Sequence, residues 1–319
     1  MESYTFGIDI GGTAVKLGFF DDHCELLEKW QIPTRQGNYG DFILSDVKAS
    51  LENILSARQL DWSAVSGIGI AVPGPVIGES FVPLAVNLGW KNVNVRDEMR
   101  MLTGVENIRV ENDAKAAALG EYRKGGWEAY RNAVMITIGT GVGGAVILDG
   151  KIVPGSFGAA GELSHIQVDP YEREHCACGG SGHLQQYVSA EGILRNAGKK
   201  LSNPGRPSSL RMLQSLTVKD IFDAARAGDG LALETVRETV QMLARAMAAV
   251  SCIIDPELYL IGGGISGAGE FLLDMLRTEF RKLALPTCTG VRIEAAKTGN
   301  DAGICGAASL VTRTDILFP

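Results

Sequence analysis

Apolar positions along the chain follow two periods that alternate repeatedly. Residues 14–20, 65–72, 134–138 and 145–148 are short apolar runs rich in β-branched side chains, the mark of buried strands. Residues 41–60 instead place Ile43, Val47, Leu51, Ile54 and Leu55 at helical spacing, which predicts a helix with one apolar face. Residues 114–123, 231–254 and 270–280 also read as helices, and residues 259–261 as a further short strand. Strands and helices alternating in this way predict an α/β fold.

Glycine punctuates the pattern. Runs at 11–12, 139–144 and 262–264 each follow directly on an apolar segment. The first two surroundings are alike: residues 6–20 (FGIDIGGTAVKLGFF) resemble residues 134–148 (VMITIGTGVGGAVIL). The chain therefore reads as two related halves, each built on a strand, a glycine turn and a second strand that ends in a turn at Asp21-Asp22 or Asp149-Gly150. Neither turn opens a helix. That excludes both the dinucleotide fingerprint and the P-loop, which need a helix directly after the glycines.

Composition narrows the function classes. With 319 residues, 45% of them hydrophobic and 21% charged, the chain can bury a large core and is long enough for two domains. A net charge of -7 and a pI near 5.3 offer no footprint for nucleic acid. The amino terminus lacks a basic segment followed by an apolar run, and the uncharged, apolar stretch of residues 133–148 is interrupted by glycines. Membrane spanning and export are not expected, and a cytoplasmic protein is. Six cysteines are too few for a disulfide scaffold in a chain of this length. Cys24, Cys252, Cys288 and Cys305 sit among apolar neighbours and read as core, whereas Cys176 and Cys178, one residue apart, point to a metal in a reducing compartment.

Three constellations carry candidate chemistry. The first turn offers the backbone N–H groups of Gly11, Gly12 and Thr13 and the Thr13 hydroxyl to phosphate oxygens, with Lys16 nearby and Asp9 placed to hold Mg²⁺ through water. A plain hairpin would account for that turn alone. Its pairing with Gly139, Thr140, Gly141 and Gly143 points instead to a two-jawed clamp on the triphosphate of ATP. The third glycine run, Gly262, Gly263 and Gly264, offers backbone that could lie flat against adenine or ribose. Asp113 stands where a strand ends and a run of helix formers begins, so it suits an N-cap and equally a base that takes the proton of an attacking hydroxyl. Finally, His165, Cys176, Cys178 and His183, in a glycine-rich loop, can close a tetrahedral structural Zn²⁺ site, with His175 left out.

Taken together these residues resemble the ROK family of sugar kinases and sugar-responsive repressors, within the actin-like, sugar kinase and Hsp70 ATPase superfamily. The resemblance covers nearly the whole chain. It implies two actin-like (ribonuclease H-like) domains with ATP and a sugar meeting in a cleft between them. It also implies Asp113 as catalytic base, Asn112 and Glu162 as sugar-hydroxyl ligands, and His165 with one ring nitrogen on zinc and the other on sugar. Gly74 and Asn87 are further implied sugar contacts, and a homodimer is expected. The family pattern Cys-x-Cys-Gly-x-x-Gly-Cys-Leu-Glu is altered here, with His183 at the fourth metal position and Gln185 in place of the glutamate. Histidine preserves zinc chemistry. Glutamine can donate as well as accept, so the sugar need not be free glucose.

These readings give a domain at 1–118 joined by a helix near 302–319, and a larger one at 119–301. The expected activity is ATP-dependent phosphorylation of a hexose hydroxyl, with glucose first. The alternatives are a kinase for an N-acetylated hexosamine or a glucoside, and a non-catalytic sugar-sensing protein. A DNA-reading module is not expected, because the first phosphate turn begins within ten residues of Met1.

Overall fold

The computed structural model describes residues 3–312. The chain divides into two compact units. The first runs through Ala129 and also contains Lys151–Ala160 and the chain from Lys297 onward; the second is Tyr130–Gly150 and Gly161–Ala296. The boundary expected near Leu119 lies inside a helix, and the chain passes between units at Ala129 instead. The expected C-terminal helix is present in the first unit as Ala302–Val311, and residues 313–319 lie outside the described residues.

The first unit is built on the sheet β3-β2-β1-β4-β7. Its strands are β1 (Tyr4–Ile10), β2 (Ala14–Phe20), β3 (Leu26–Pro33), β4 (Val65–Val72) and β7 (Ile108–Asn112). β1, β2 and β3 pair antiparallel as a meander, whereas β4 and β7 lie parallel to β1. A parallel neighbour requires a crossover, and α1 (Ile43–Ala57) supplies the one between β3 and β4. Of the stripe expected from the sequence, α1 buries Ile43, Val47, Leu51 and Leu55, and partly buries Ile54, in one core with Phe6, Ile8 and Leu17 of the sheet. β5 (Phe81–Ala85) and β6 (Trp90–Asn94) form a small hairpin, followed by α2 (Val95–Thr103). α3 (Asp113–Lys124) begins directly at the end of β7, and β10 (Lys151–Ile152) is a two-residue strand.

α9 (Ala302–Val311) lies almost in backbone contact with both the sheet and α3. A Cβ at Gly69 of β4 would overlap the Ala307 carbonyl, and one at Gly306 would overlap the Ala116 carbonyl. These two glycines are in regular elements. They are required by close approach rather than by turn geometry.

The second unit repeats the plan. β8 (Ala133–Ile138) and β9 (Val142–Leu148) form an antiparallel hairpin, and β11 (Leu258–Gly262) and β12 (Arg292–Ala295) continue parallel to β8. The order β9-β8-β11-β12 thus reproduces β2-β1-β4-β7, which accounts for the sequence repeat. The long helix α7 (Gly230–Ile254) covers this sheet with α8 (Glu270–Leu283), and buried Tyr259 ties β11 to α7 through hydrogen bonds to Ser251 Oγ (2.9 Å) and the Met247 carbonyl (2.8 Å). α4 (Gln185–Val188), α5 (Ala190–Leu201) and α6 (Val218–Arg226) complete the unit. Cys24, Cys288 and Cys305 are buried as expected. Cys252 is not: it lies on an exposed face of α7 beside Ile253, which is exposed as well.

Candidate functional site

In the first unit, β1 delivers Asp9 to the start of a tight turn that closes with the Gly11 N–H on the Ala14 carbonyl at 3.0 Å. The Thr34 hydroxyl holds the Gly11 carbonyl at 2.7 Å, and the Gln36 amide bridges the carbonyls of Gly12 and Asn87. Asn87 is therefore beside the first glycine turn, as Gly12 itself is, and Thr13 is exposed there. Lys16 approaches the Asp9 carboxylate at 3.9 Å. No hydrogen bond to that carboxylate appears among the described residues. Burial pushes Asp9 above the ordinary aspartate range, with Lys16 opposing the shift. A hydrated cation suits a carboxylate so placed.

β7 ends on Asn112, and this residue, not Asp113, caps α3. Its Oδ1 accepts the N–H groups of Ala114 (3.0 Å) and Lys115 (3.2 Å). Its Nδ2 donates to the Gly74 carbonyl (3.0 Å) and to Asp113 Oδ1 (3.1 Å). All four valences of the amide are thereby used within the protein, and Asn112 positions Asp113. Asp113 Oδ1 also accepts the Ala114 N–H at 2.8 Å, which leaves Oδ2 as the oxygen able to take a proton. Burial, more than any other cause, pushes the Asp113 carboxyl up to about 6, and the nearby Asp9 charge adds to the rise. The capping explanation of Asp113 loses its force, since the neighbouring residue performs that task.

The second unit carries the other glycine turns. The Gly139 N–H bonds the Gly141 carbonyl at 2.9 Å, and the Gly139 carbonyl accepts the Ala190 N–H at 2.8 Å, fastening the turn to the start of α5. Thr140 is exposed at its tip, and Gly143 lies in β9. Gln185 Oε1 stands beside Gly141, 3.5 Å from where a Cβ would be. Gly262 ends β11, and Gly263, at φ +79°, packs so closely on the end of β8 that a Cβ would overlap the Ile138 carbonyl. Gly264 opens the short turn 264–268, which forms one wall of a cavity of about 410 Å³. Ile138 and Gly139, Ala190 and Ile193 of α5, and Val218, Phe222 and Arg226 of α6 line the rest. The polar groups at α6 are occupied with one another: Asp223 pairs with Lys219 and Arg226, and Arg226 also donates to the Ala268 carbonyl. The α5 and α6 walls carry no motif. Their only sequence signal is an amphipathic helix behind a Thr-x-x-Asp capping box at Thr217 and Asp220.

The loop 161–183 brings His165, Cys176, Cys178 and His183 together, with one donor atom from each within 4.8 Å of all the others. Cys178 Sγ is 3.2 Å from His183 Nδ1, and the His165 and His183 rings meet edge to face at 5.5 Å. Two sulfurs and two imidazole nitrogens at this spacing fit a four-coordinate metal. His175 is not among them. Cys176 is buried while His165 and Glu162 are exposed, so the ring of His165 keeps an accessible edge.

Two sheets of one topology, each with a glycine turn after its first strand, define the actin-like ATPase fold, here bearing the Asn112-Asp113 pair at the start of α3 and a His/Cys cluster. The chain belongs to the ROK family, whose model matches residues 5–314. It is 37% identical to a glucokinase of Halalkalibacterium halodurans, over 97% of this chain and 95% of the relative. Among solved structures it resembles a ROK-family glucokinase from Streptomyces griseus in complex with glucose and AMPPNP (TM-score 0.74, 32% identity, 97% and 99% of the two chains). It also resembles a ROK-family transcriptional regulator, homologue of the E. coli MLC protein (TM-score 0.83, 29% identity, 96% and 77%). No described helix is long and apolar enough to cross a membrane.

Proposed function

We propose that this chain is an ATP-dependent kinase of a hexose hydroxyl, with glucose as the first substrate. The observation that carries the reading is Asp113: a half-buried carboxylate with one oxygen fastened, the other available, and a proton affinity raised toward the working range of a general base. The sugar oxygen attacks the γ-phosphorus, its proton passes to Asp113, and the bond to the bridging oxygen breaks to release ADP. Most of the catalysis is positioning and charge neutralisation. The N–H groups at Gly11, Gly12 and Thr13 and at Gly139, Thr140 and Gly141, with Lys16, hold phosphate oxygens. Asp9 would hold Mg²⁺, which when bound would supply charge neutralisation on the phosphates. The base and ribose of ATP occupy the 410 Å³ cavity beside Gly262, Gly263 and Gly264.

Glu162, His165, Asn87, Gly74 and Gln185 contact the sugar, and Asn112 acts on it through Asp113. Zinc held by His165, Cys176, Cys178 and His183 cross-links a loop with little apolar content of its own. The same reading includes a homodimer in a reducing cytoplasm, which light scattering on a sizing column checks.

Gln185 favours a second substrate reading, an N-acetylated hexosamine or a glucoside, because its amide beside Gly141 can donate where a carboxylate could not. ADP release measured against glucose, N-acetylglucosamine, N-acetylmannosamine and methyl glucosides separates these. Turnover of glucose is the expected outcome, and tight sugar binding with no ADP from any member would make the chain a sugar sensor.

A further inference from the structure

Lys115, two residues after Asp113 on the first turn of α3, is one of the most deeply buried side chains in the molecule, at 1% exposure. Its ammonium donates to the carbonyls of Pro154 (3.0 Å) and Gly158 (2.8 Å), both in the segment 151–160 that returns to the first unit. That segment has little apolar burial to hold it, since residues 154–157 are exposed and Phe157 is 82% so. Gly158 is its buried point. It adopts φ +76° and packs so that a Cβ would stand 2.6 Å from the Val76 carbonyl. Val76 is two residues beyond Gly74, whose carbonyl receives the Asn112 amide, and the same amide donates to Asp113 Oδ1. The contacts therefore close into a ring. Asn112 and Lys115, within one helical turn, grip two segments that pack on each other. A buried ammonium is a costly fastener, and a neutral side chain would fill the same space at lower cost.

We propose that Lys115 is a positioning residue for phosphoryl transfer: by pinning 154–158 against the 74–76 turn it fixes the Asn112 amide and so the aim of Asp113. The proposal rests on Asp113 being the base. Loosening the ring weakens the Asn112 hydrogen bond to the ionised carboxylate, a bond that holds its proton affinity down.

Lys115→Met removes the ammonium and keeps the apolar stem, while Gly158→Ala disturbs the ring from its other side. In both, kcat is expected to fall tenfold or more and the acidic limb of the pH-rate profile to move to higher pH. KM for ATP should stay within twofold, and amide exchange should quicken at 154–160. A folded Lys115→Met with the kcat and pH profile of the parent overturns the proposal. Should that variant not fold, Gly158→Ala decides in the same way. Asp113→Asn run alongside separates the two levels: parental activity there defeats the base, whereas loss there with an unaffected Lys115→Met defeats only the clamp.

Discussion

Asp113 and Asn112 are adjacent, similar in size and opposite in task. Either could cap the helix from sequence alone, because both side chains reach N–H groups two or three residues on. The structure assigns the cap to Asn112, and that division is what sequence could not supply. Asp113→Asn should therefore leave α3 intact and lower kcat by about 10²–10⁴-fold, roughly 3–5 kcal/mol of transition-state stabilisation, with ATP and sugar binding retained in calorimetry. Parental kcat in that variant would end the catalytic assignment. The raised proton affinity sets the pH dependence: the base must be ionised, so kcat/KM for the sugar should fall tenfold per pH unit below about 6 and level off above it. Stability runs the other way. A carboxyl with a higher pKa folded than unfolded stabilises the fold at low pH, and that contribution is lost as pH rises through about 6. Asp113→Asn should accordingly melt above the parent at pH 8 and not at pH 4, which paired thermal scans would show.

Elements were more legible than their neighbours in space. β4 spans the residues read as a strand, and α3, α7 and α8 fall within a few residues of expectation, because long periodic runs survive any tertiary context. The α6 wall of the 410 Å³ cavity was invisible, since an amphipathic helix states that it has a buried face and not what shares it. The seat of α9 was equally hidden. Gly303 there faces Asp9, and a Cβ would come 2.6 Å from Oδ2. Gly303→Ala should displace that carboxylate, so half-maximal activity should require several-fold more Mg²⁺ while KM for sugar changes little; an unchanged Mg²⁺ titration would count against Asp9 as the cation ligand. For the loop 161–183, residue types and spacing were enough to single out four side chains whose donor atoms the fold brings within 4.8 Å of one another. Cys178→Ser should abolish bound zinc in elemental analysis and lower Tm by about 5 °C or more. Zinc content equal to the parent would refute the ligand set.

At the scale of the molecule, the sequence repeat announced two similar sheets, but not where the chain crosses between units. The boundary expected near Leu119 falls inside α3, where Glu121 is fully buried and accepts N–H groups from Trp127, Lys297 and Thr298 at 2.7–2.9 Å. Those bonds tie α3 to the segment that leads into α9. The order of the chain then has a consequence for its synthesis. α9 follows the whole of the second unit in sequence, yet it fills a backbone-deep seat against β4 and α3 of the first. On the ribosome the strands of the first unit emerge early and wait, with Gly69 and Gly120 uncovered, until the entire second unit has been made. The second unit can close on its own residues during that interval, but the first unit cannot, and the loop it must close includes everything between. A nascent chain stalled before Ala302 should therefore carry a protease-resistant second unit and a first unit that is still cut.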